Sequence, residues 1–260
     1  MFEHVLSEIQ KYDTIILHRH SKPDGDALGS QIGLKHLLRE NFPGKTVYAV
    51  GDDARFYGFM EDSVMDDIPD SVYEGALAVI LDCGAAHLVS DNRYTLASRT
   101  VRIDHHIFGG QFADTEVIDT SFESCCGMIA EFAREQGLRL NPLSAQSLYT
   151  GMVTDSGRFR YDATSHRTFR LAALLLEQGF DTNRIYRDLY ADDFEKYQKS
   201  RGVYPEIWKN LAPFVSDNAD GVADMIKNYK FGSDYQYIKD TYCFKENTAK
   251  LKEIIDSILS

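Results

Sequence analysis

The chain has 260 residues, 43% of them hydrophobic and 26% charged, an ordinary balance for one large folded domain or two smaller ones. Its 28 basic residues against 40 acidic ones leave a formal charge of −12. That balance argues against general duplex-DNA binding, which needs a broad basic face, but leaves room for a small phosphorylated ligand in a locally positive site. Four cysteines with no Cys-x-x-Cys pair argue against a zinc knuckle or a thioredoxin-type site and fit reduced thiols. The N-terminal stretch lacks the basic and apolar regions of a signal peptide, and no apolar run approaches the roughly 18 residues of a membrane span. The expectation is a cytoplasmic protein with no membrane partner.

In chain order, HVLSEIQKY reads as a helix and TIILHRH as a strand. DALGSQIGLKHLLRENF follows as a helix, with Leu28, Ile32, Leu34, Leu37 and Leu38 roughly on one face. KTVYAVG is a strand. ALAVILDC is a near-continuous apolar run, as expected of a strand buried on both faces, and RTVRIDHH is a further strand. Helices follow in CGMIAEFAREQG, LSAQSLYTGMVTDSG and SHRTFRLAALLLEQG, with Gly137 and Gly179 at C-cap positions. This alternation predicts an α/β fold over residues 1–182, a mainly parallel sheet with helices on both faces. Beyond Gly179 the chain turns polar, charged and Tyr-rich, and residues 183–210 read as a helical connector. Residues 211–260, with GVADMI, YQYIK, TYCF and the amphipathic NTAKLKEIIDSILS, read as a smaller C-terminal α/β lobe. That lobe is too small to bury a good core alone and is expected to be shortened or partly missing.

Four stretches place an acidic residue or a histidine where a buried strand or apolar helix ends. They are His20, Asp24 and Asp26 after TIILHR, Asp82 after ALAVIL, Asp104, His105 and His106 after RTVRI, and Asp155 in YTGMVTDSG. Strand C-termini of a parallel sheet lie along one edge, where ligands bind, so residues far apart in sequence can meet there. Each stretch has a plainer reading on its own: a turn with an Asp N-cap, an Asp ending a strand, a hydrogen-bonded His pair, a helix stop at Gly157. Together they would crowd Asp24, Asp26, Asp82 and Asp155 into one crevice. Two like charges 4 Å apart repel by about 4 kcal/mol at an effective dielectric of 20, so such a cluster calls for cations. Mixed Asp and His donors suit Mn²⁺, Fe²⁺, Co²⁺ or Zn²⁺. Two metals about 3.5–4 Å apart are a recurring device for phosphoester hydrolysis. Nothing in the first strand-to-helix turn offers the G-x-G-x-x-G of a nicotinamide site.

HSKPDGDA, LDC, DHH and GMVTDSGRFR match, in order, the four motifs of the DHH phosphoesterases. Over roughly residues 12–190 the chain resembles that family, most of all its nano-RNase and pAp phosphatase branch. The resemblance implies a Mn²⁺-dependent hydrolase with two ions, Mg²⁺ or Co²⁺ being alternatives, acting on short oligoribonucleotides and 3′-phosphoadenosine 5′-phosphate (pAp). It implies His20, Asp24 and Asp82 on one metal and Asp26, Asp82, His105 and Asp155 on the other. His106 would face the scissile phosphate or leaving group, and Asp104 would orient a histidine, completing the catalytic set. Arg158 and Arg160 are candidate substrate contacts because a guanidinium binds phosphate in bidentate fashion. His166, near a helix start, is a third. A solvated strand and an ordinary helix cap are the alternative readings for these three. The branch's Gly-Gly-Gly-His substrate loop is not found. A short RNA or nucleotide and a second copy of the chain are the expected partners. Cyclic or linear dinucleotide phosphodiesterase, exopolyphosphatase and pyrophosphatase activity are the other enzymatic readings. A nucleotide-binding module without its substrate lobe is the non-enzymatic one.

Overall fold

A computed structural model describes residues 1–190, all inside one compact unit, Met1–Ala191. Most of the expected connector at 183–210 and all of the expected lobe at 211–260 lie outside the described residues.

The described chain runs α1 (Glu3–Lys11), β1 (Thr14–Arg19), α2 (Gly25–Asn41), β2 (Thr46–Ala49), β3 (Leu77–Leu81), β4 (Arg99–Asp104), β5 (Thr115–Ile118), α3 (Cys125–Glu135), α4 (Pro142–Asp155) and α5 (His166–Leu176). The strands form one parallel sheet in the order β2-β1-β3-β4-β5. The apolar runs in β1 and β3 sit at its centre. All five β3 residues are buried, and each large aliphatic side chain so buried contributes about 1.5–3 kcal/mol. Alternation splits them between two layers. Ile15, Leu17, Leu77, Val79, Leu81, Val101 and Ile103 join the main core with the α-helices. Ile16, Ala78 and Ile80 pack on the other face, which includes Tyr73 and Tyr94 of two short 3-10 helices (Asp70–Tyr73, Asn92–Leu96).

The register positions the functional edge. Arg19 pairs with Leu81, and Leu81 with Ile103. The next residue on each strand is therefore His20, Asp82 or Asp104, side by side at the C-terminal crest.

Helix ends follow local chemistry. Ser124 Oγ accepts Gly127 N–H at 2.9 Å to cap α3, and Asn141 forms a capping box with Ser144 ahead of Pro142. Gly137 and Gly179 take left-handed φ values of 62° and 78°, as their C-cap positions require.

Two features differ from the sequence expectation. Helix α2 has no single apolar face, because Gly25–Leu38 is buried on every side. Leu34, Leu37 and Leu38 enter the main core, whereas Leu28 and Ile32 pack with Ala54 and Met60. The helix fits there because its glycines let α4 come close: a Cβ on Gly29 would lie 2.6 Å from the Ser147 carbonyl oxygen. The second feature is β5, an edge strand of four half-buried residues that carries no clear alternation. Among the described residues, no helix is long and apolar enough to cross a membrane.

Candidate metal centre

At the end of β1 the chain turns through Lys22, held at φ 54°, into the N-terminus of α2. Asp24 is the N-cap: its Oδ1 accepts Asp26 N–H at 3.0 Å and Ala27 N–H at 2.9 Å. Its capping and ligand readings thus coincide in one carboxylate. Asp26, in the first turn of α2, is 1% exposed. Its carboxylate accepts Cys125 N–H at 2.7 Å and Cys126 N–H at 2.8 Å. These are first-turn amides of α3, where free N–H groups and the helix dipole favour negative charge. The adjacent cysteines contribute through their backbone while their buried thiols pack.

Asp82, one residue past β3, takes φ 50°. A non-glycine residue in that region costs about 1–3 kcal/mol and is characteristic of functional sites. The turn aims its carboxylate between two groups. Oδ2 lies 3.6 Å from His20 Nε2. Oδ1 lies 3.4 Å from His105 Nε2 and 3.5 Å from His106 Nδ1, yet it is buried without a formed hydrogen bond among the described residues. His20 Nε2 is also 3.7 Å from Asp24 Oδ1. His105 Nε2 is 3.6 Å from Asp26 Oδ2 and 3.5 Å from Asp155 Oδ2.

Three groups have donor atoms all within 4.8 Å of one another: His20, Asp24 and Asp82; Asp26, His105 and Asp155; Asp82, His105 and His106. Each could hold a metal ion. The donor set is mixed N and O, it is rich in carboxylate, and it surrounds a buried oxygen lacking a partner, so the residues fit divalent cations of the transition series.

The electrostatics agree. Burial pushes the Asp26 carboxyl well above the usual carboxylate range, with the charges of Asp82 and Asp155 adding to it against the opposing pull of His105. Burial likewise raises Asp155 to about 6, with Asp82 and Asp24 adding and His105 opposing. Burial alone would lower the imidazoles, but contacts with Asp24 and Asp82 push His20 up to about 10. The same opposition between burial and contacts with Asp82, Asp26 and Asp155 brings His105 to about 10. Four crowded carboxylates thus draw positive charge from whatever is near, the condition a bound cation relieves.

Asp104 sits beneath. Its Oδ1 faces His106 Nδ1 at 2.8 Å and its Oδ2 accepts from Arg102 Nη2 at 2.6 Å, with Arg102 and Asp104 fully buried. His106 is thereby held by Nδ1, with its side chain half-exposed. The hydrogen bond to Asp104, against partial burial, raises its pKa.

Residues 14–152 match the family model described as "DHH family, N-terminal domain". The chain belongs to the DHH family. It is 40% identical over 188 residues to a probable bifunctional oligoribonuclease and PAP phosphatase of Streptococcus mutans, a match covering 72% of this chain and 60% of that one. It is 36% identical over 189 residues to the bifunctional oligoribonuclease and PAP phosphatase of Bacillus subtilis, with the same two coverages. The crystal structure of an exopolyphosphatase-related protein from Bacteroides fragilis aligns with a TM-score of 0.67 at 26% identity, over 73% of this chain and 60% of that one. The chain thus spans about three fifths of the length of these curated relatives.

The DHH triplet of this chain, Asp104–His105–His106, divides its labour: His105 points into the carboxylates, and Asp104 holds His106. The remaining expected residues make other contacts. Gly157, Arg158 and Phe159 all have φ between 57° and 65° in the turn after α4. The Arg158 guanidinium lies 4.8 Å from the centre of the Tyr190 ring, and Arg160 Nε donates to the Gly157 carbonyl at 3.0 Å. His166 opens α5 after the N-cap Ser165. None of the three is hydrogen-bonded or ion-paired with a member of the cluster. Sequence reading missed two buried arginines, Arg19 and Arg102, that support the site from below. Their signal was available: a charge inside an otherwise apolar strand must find a partner.

Proposed function

We propose that this DHH-family chain is a phosphoesterase that hydrolyses short oligoribonucleotides and pAp with two Mn²⁺, for which Mg²⁺ or Co²⁺ substitute. The observation that carries the reading is Asp82, whose two oxygens face two different ligand groups from a strained backbone position. The names of the curated relatives support the substrate class. In this reading His20, Asp24 and Asp82 hold one ion, and Asp26, Asp82, His105 and Asp155 hold the other. Bound there, the ions would supply charge neutralisation at the phosphoryl oxygens and a lowered pKa for the attacking water.

The chain's own groups do the rest. Asp104 fixes the orientation of His106, and His106 Nε2 donates its proton to the leaving oxygen as the phosphorus–oxygen ester bond breaks and water oxygen bonds to phosphorus, the water's own proton passing to solvent. Arg102 keeps Asp104 ionised and in place. Arg158, Arg160 and His166 are the candidate groups for outlying phosphates of the substrate. A homodimer and a cytoplasmic location belong to the same reading.

The test is a side-by-side assay of the full chain with Mn²⁺ on pAp, a diribonucleotide, a 24-mer RNA, a cyclic dinucleotide and pyrophosphate. The reading expects AMP from pAp and mononucleotides from the dinucleotide. Turnover of pyrophosphate alone, or of the cyclic dinucleotide alone, contradicts it.

A further inference from the structure

The turn bearing His20 and Asp24 is held from below by a buried polar network. Arg19, the last residue of β1, is fully buried. Its Nε donates to Gln31 Oε1 at 2.9 Å, its Nη1 to Asp52 Oδ1 at 2.8 Å and to the His20 carbonyl at 3.2 Å, and its Nη2 to the Asp52 carbonyl at 2.5 Å. Gln31 in turn donates from Nε2 to the carbonyls of Leu17 and Val50, at 2.7 and 2.9 Å. Asp52 follows Gly51, whose φ of 137° lets the backbone pass beside the guanidinium: a Cβ there would lie 3.3 Å from Arg19 Nη1.

Asp52 reaches both ways. Its Oδ1 also accepts from Ser90 Oγ at 2.6 Å, and its own N–H donates back to that hydroxyl at 2.8 Å. Its Oδ2 accepts Lys22 N–H at 2.8 Å. Lys22 is the left-handed residue through which the chain passes from His20 to Asp24. Asp52 therefore bonds the middle of that turn, while Arg19 holds its first carbonyl. No member of the other group, Asp26, His105 or Asp155, is bonded to Arg19 or Asp52. That group instead rests on the N-terminus of α3, the Phe122 carbonyl facing His105 Nδ1, and the end of α4.

We propose that Asp52, braced by Arg19, is a positioning residue for one half of the metal centre: it fixes the His20–Asp24 turn and sets the ion affinity of that half alone. The proposal rests on the two-ion reading above. Partners that orient ligands from outside are worth roughly 10–100-fold in metal affinity. They act here by removing the freedom the turn would otherwise lose on binding.

The test uses the full chain and Mn²⁺ alone, with stepwise binding followed by calorimetry and by the electron paramagnetic resonance of free Mn²⁺. The expectation is that Asp52→Ala weakens one of two binding steps by about 10–100-fold and leaves the other within about twofold. Asp52→Asn, which keeps an acceptor for Lys22 N–H, should weaken the same step less, and it serves if the alanine variant does not fold. A merely structural role predicts loss of thermal stability with both steps moved together. In a His20→Ala background, which removes a ligand of the affected half, adding Asp52→Ala should change nothing further in the surviving step. Equal weakening of both steps, or none, overturns the proposal while wild-type two-step binding leaves the two-ion reading intact. Uptake of fewer than two ions by the wild type overturns both.

Discussion

The two halves of the candidate centre use the same kinds of ligand on very different supports. Asp26 is 1% exposed and sits on the first turn of one helix against the first turn of another. Asp24 has a half-exposed side chain, and His20 and Asp24 flank a turn of three intervening residues held by side chains borrowed from two loops, Asp52 directly and Ser90 through it. Helix ends make a rigid half because many packed residues must move to displace them. A tethered turn is rigid only as far as its tethers reach. The buried half should therefore hold its ion more tightly, and the turn-borne half should exchange first.

The largest effect comes from breaking the junction between the halves. Asp82→Ala should abolish both Mn²⁺ binding steps and reduce hydrolysis of pAp to background, as read by calorimetry and product release. One surviving step of wild-type affinity would mean that Asp82 does not join the halves. Next comes separation of chemistry from binding. His106→Ala should lower kcat by about 10²–10⁴-fold, the range for a lost general acid, with both binding steps within about twofold of wild type. Loss of a binding step would instead place His106 on a metal beside Asp82 and His105. The smallest effect is on the scaffold of the buried half. Gly29→Ala pushes a methyl against the Ser147 carbonyl of α4 and should cost about 1–3 kcal/mol of stability, seen as a lower Tm. The step belonging to the buried half should weaken with it, and the turn-borne step should not.

Much of this arrangement is visible in the sequence because each ligand follows an apolar run. TIILH, ALAVIL and RTVRI announce buried strands, and a parallel sheet aligns their ends. The four DHH motifs then mark which end residues to join. What periodicity cannot show is register, and it is register, Arg19 beside Leu81 beside Ile103, that sets His20, Asp82 and Asp104 abreast. Nor can it show support. Asp52 and Ser90 lie in loops with no pattern of their own, and their roles come from contacts 38 residues or fewer apart that only the fold creates. Helix α2 departs from an amphipathic reading because its glycines bring α4 onto one side while its polar side is covered as well: Gln31 bonds the Leu17 and Val50 carbonyls, Lys35 bonds Asp66 and His36 faces Asp62. Strand β5 pairs at the sheet edge with half-buried residues, where alternation carries little weight.

The positions of two bound ions test the centre most directly. Crystals of the full chain grown with Mn²⁺ and measured at the manganese absorption edge should show two anomalous peaks about 3.5–4 Å apart. One is expected between His20 and Asp24, the other among Asp26, His105 and Asp155, with the Asp82 carboxylate reaching both. A single peak, or a peak confined to Asp82, His105 and His106, would contradict the account.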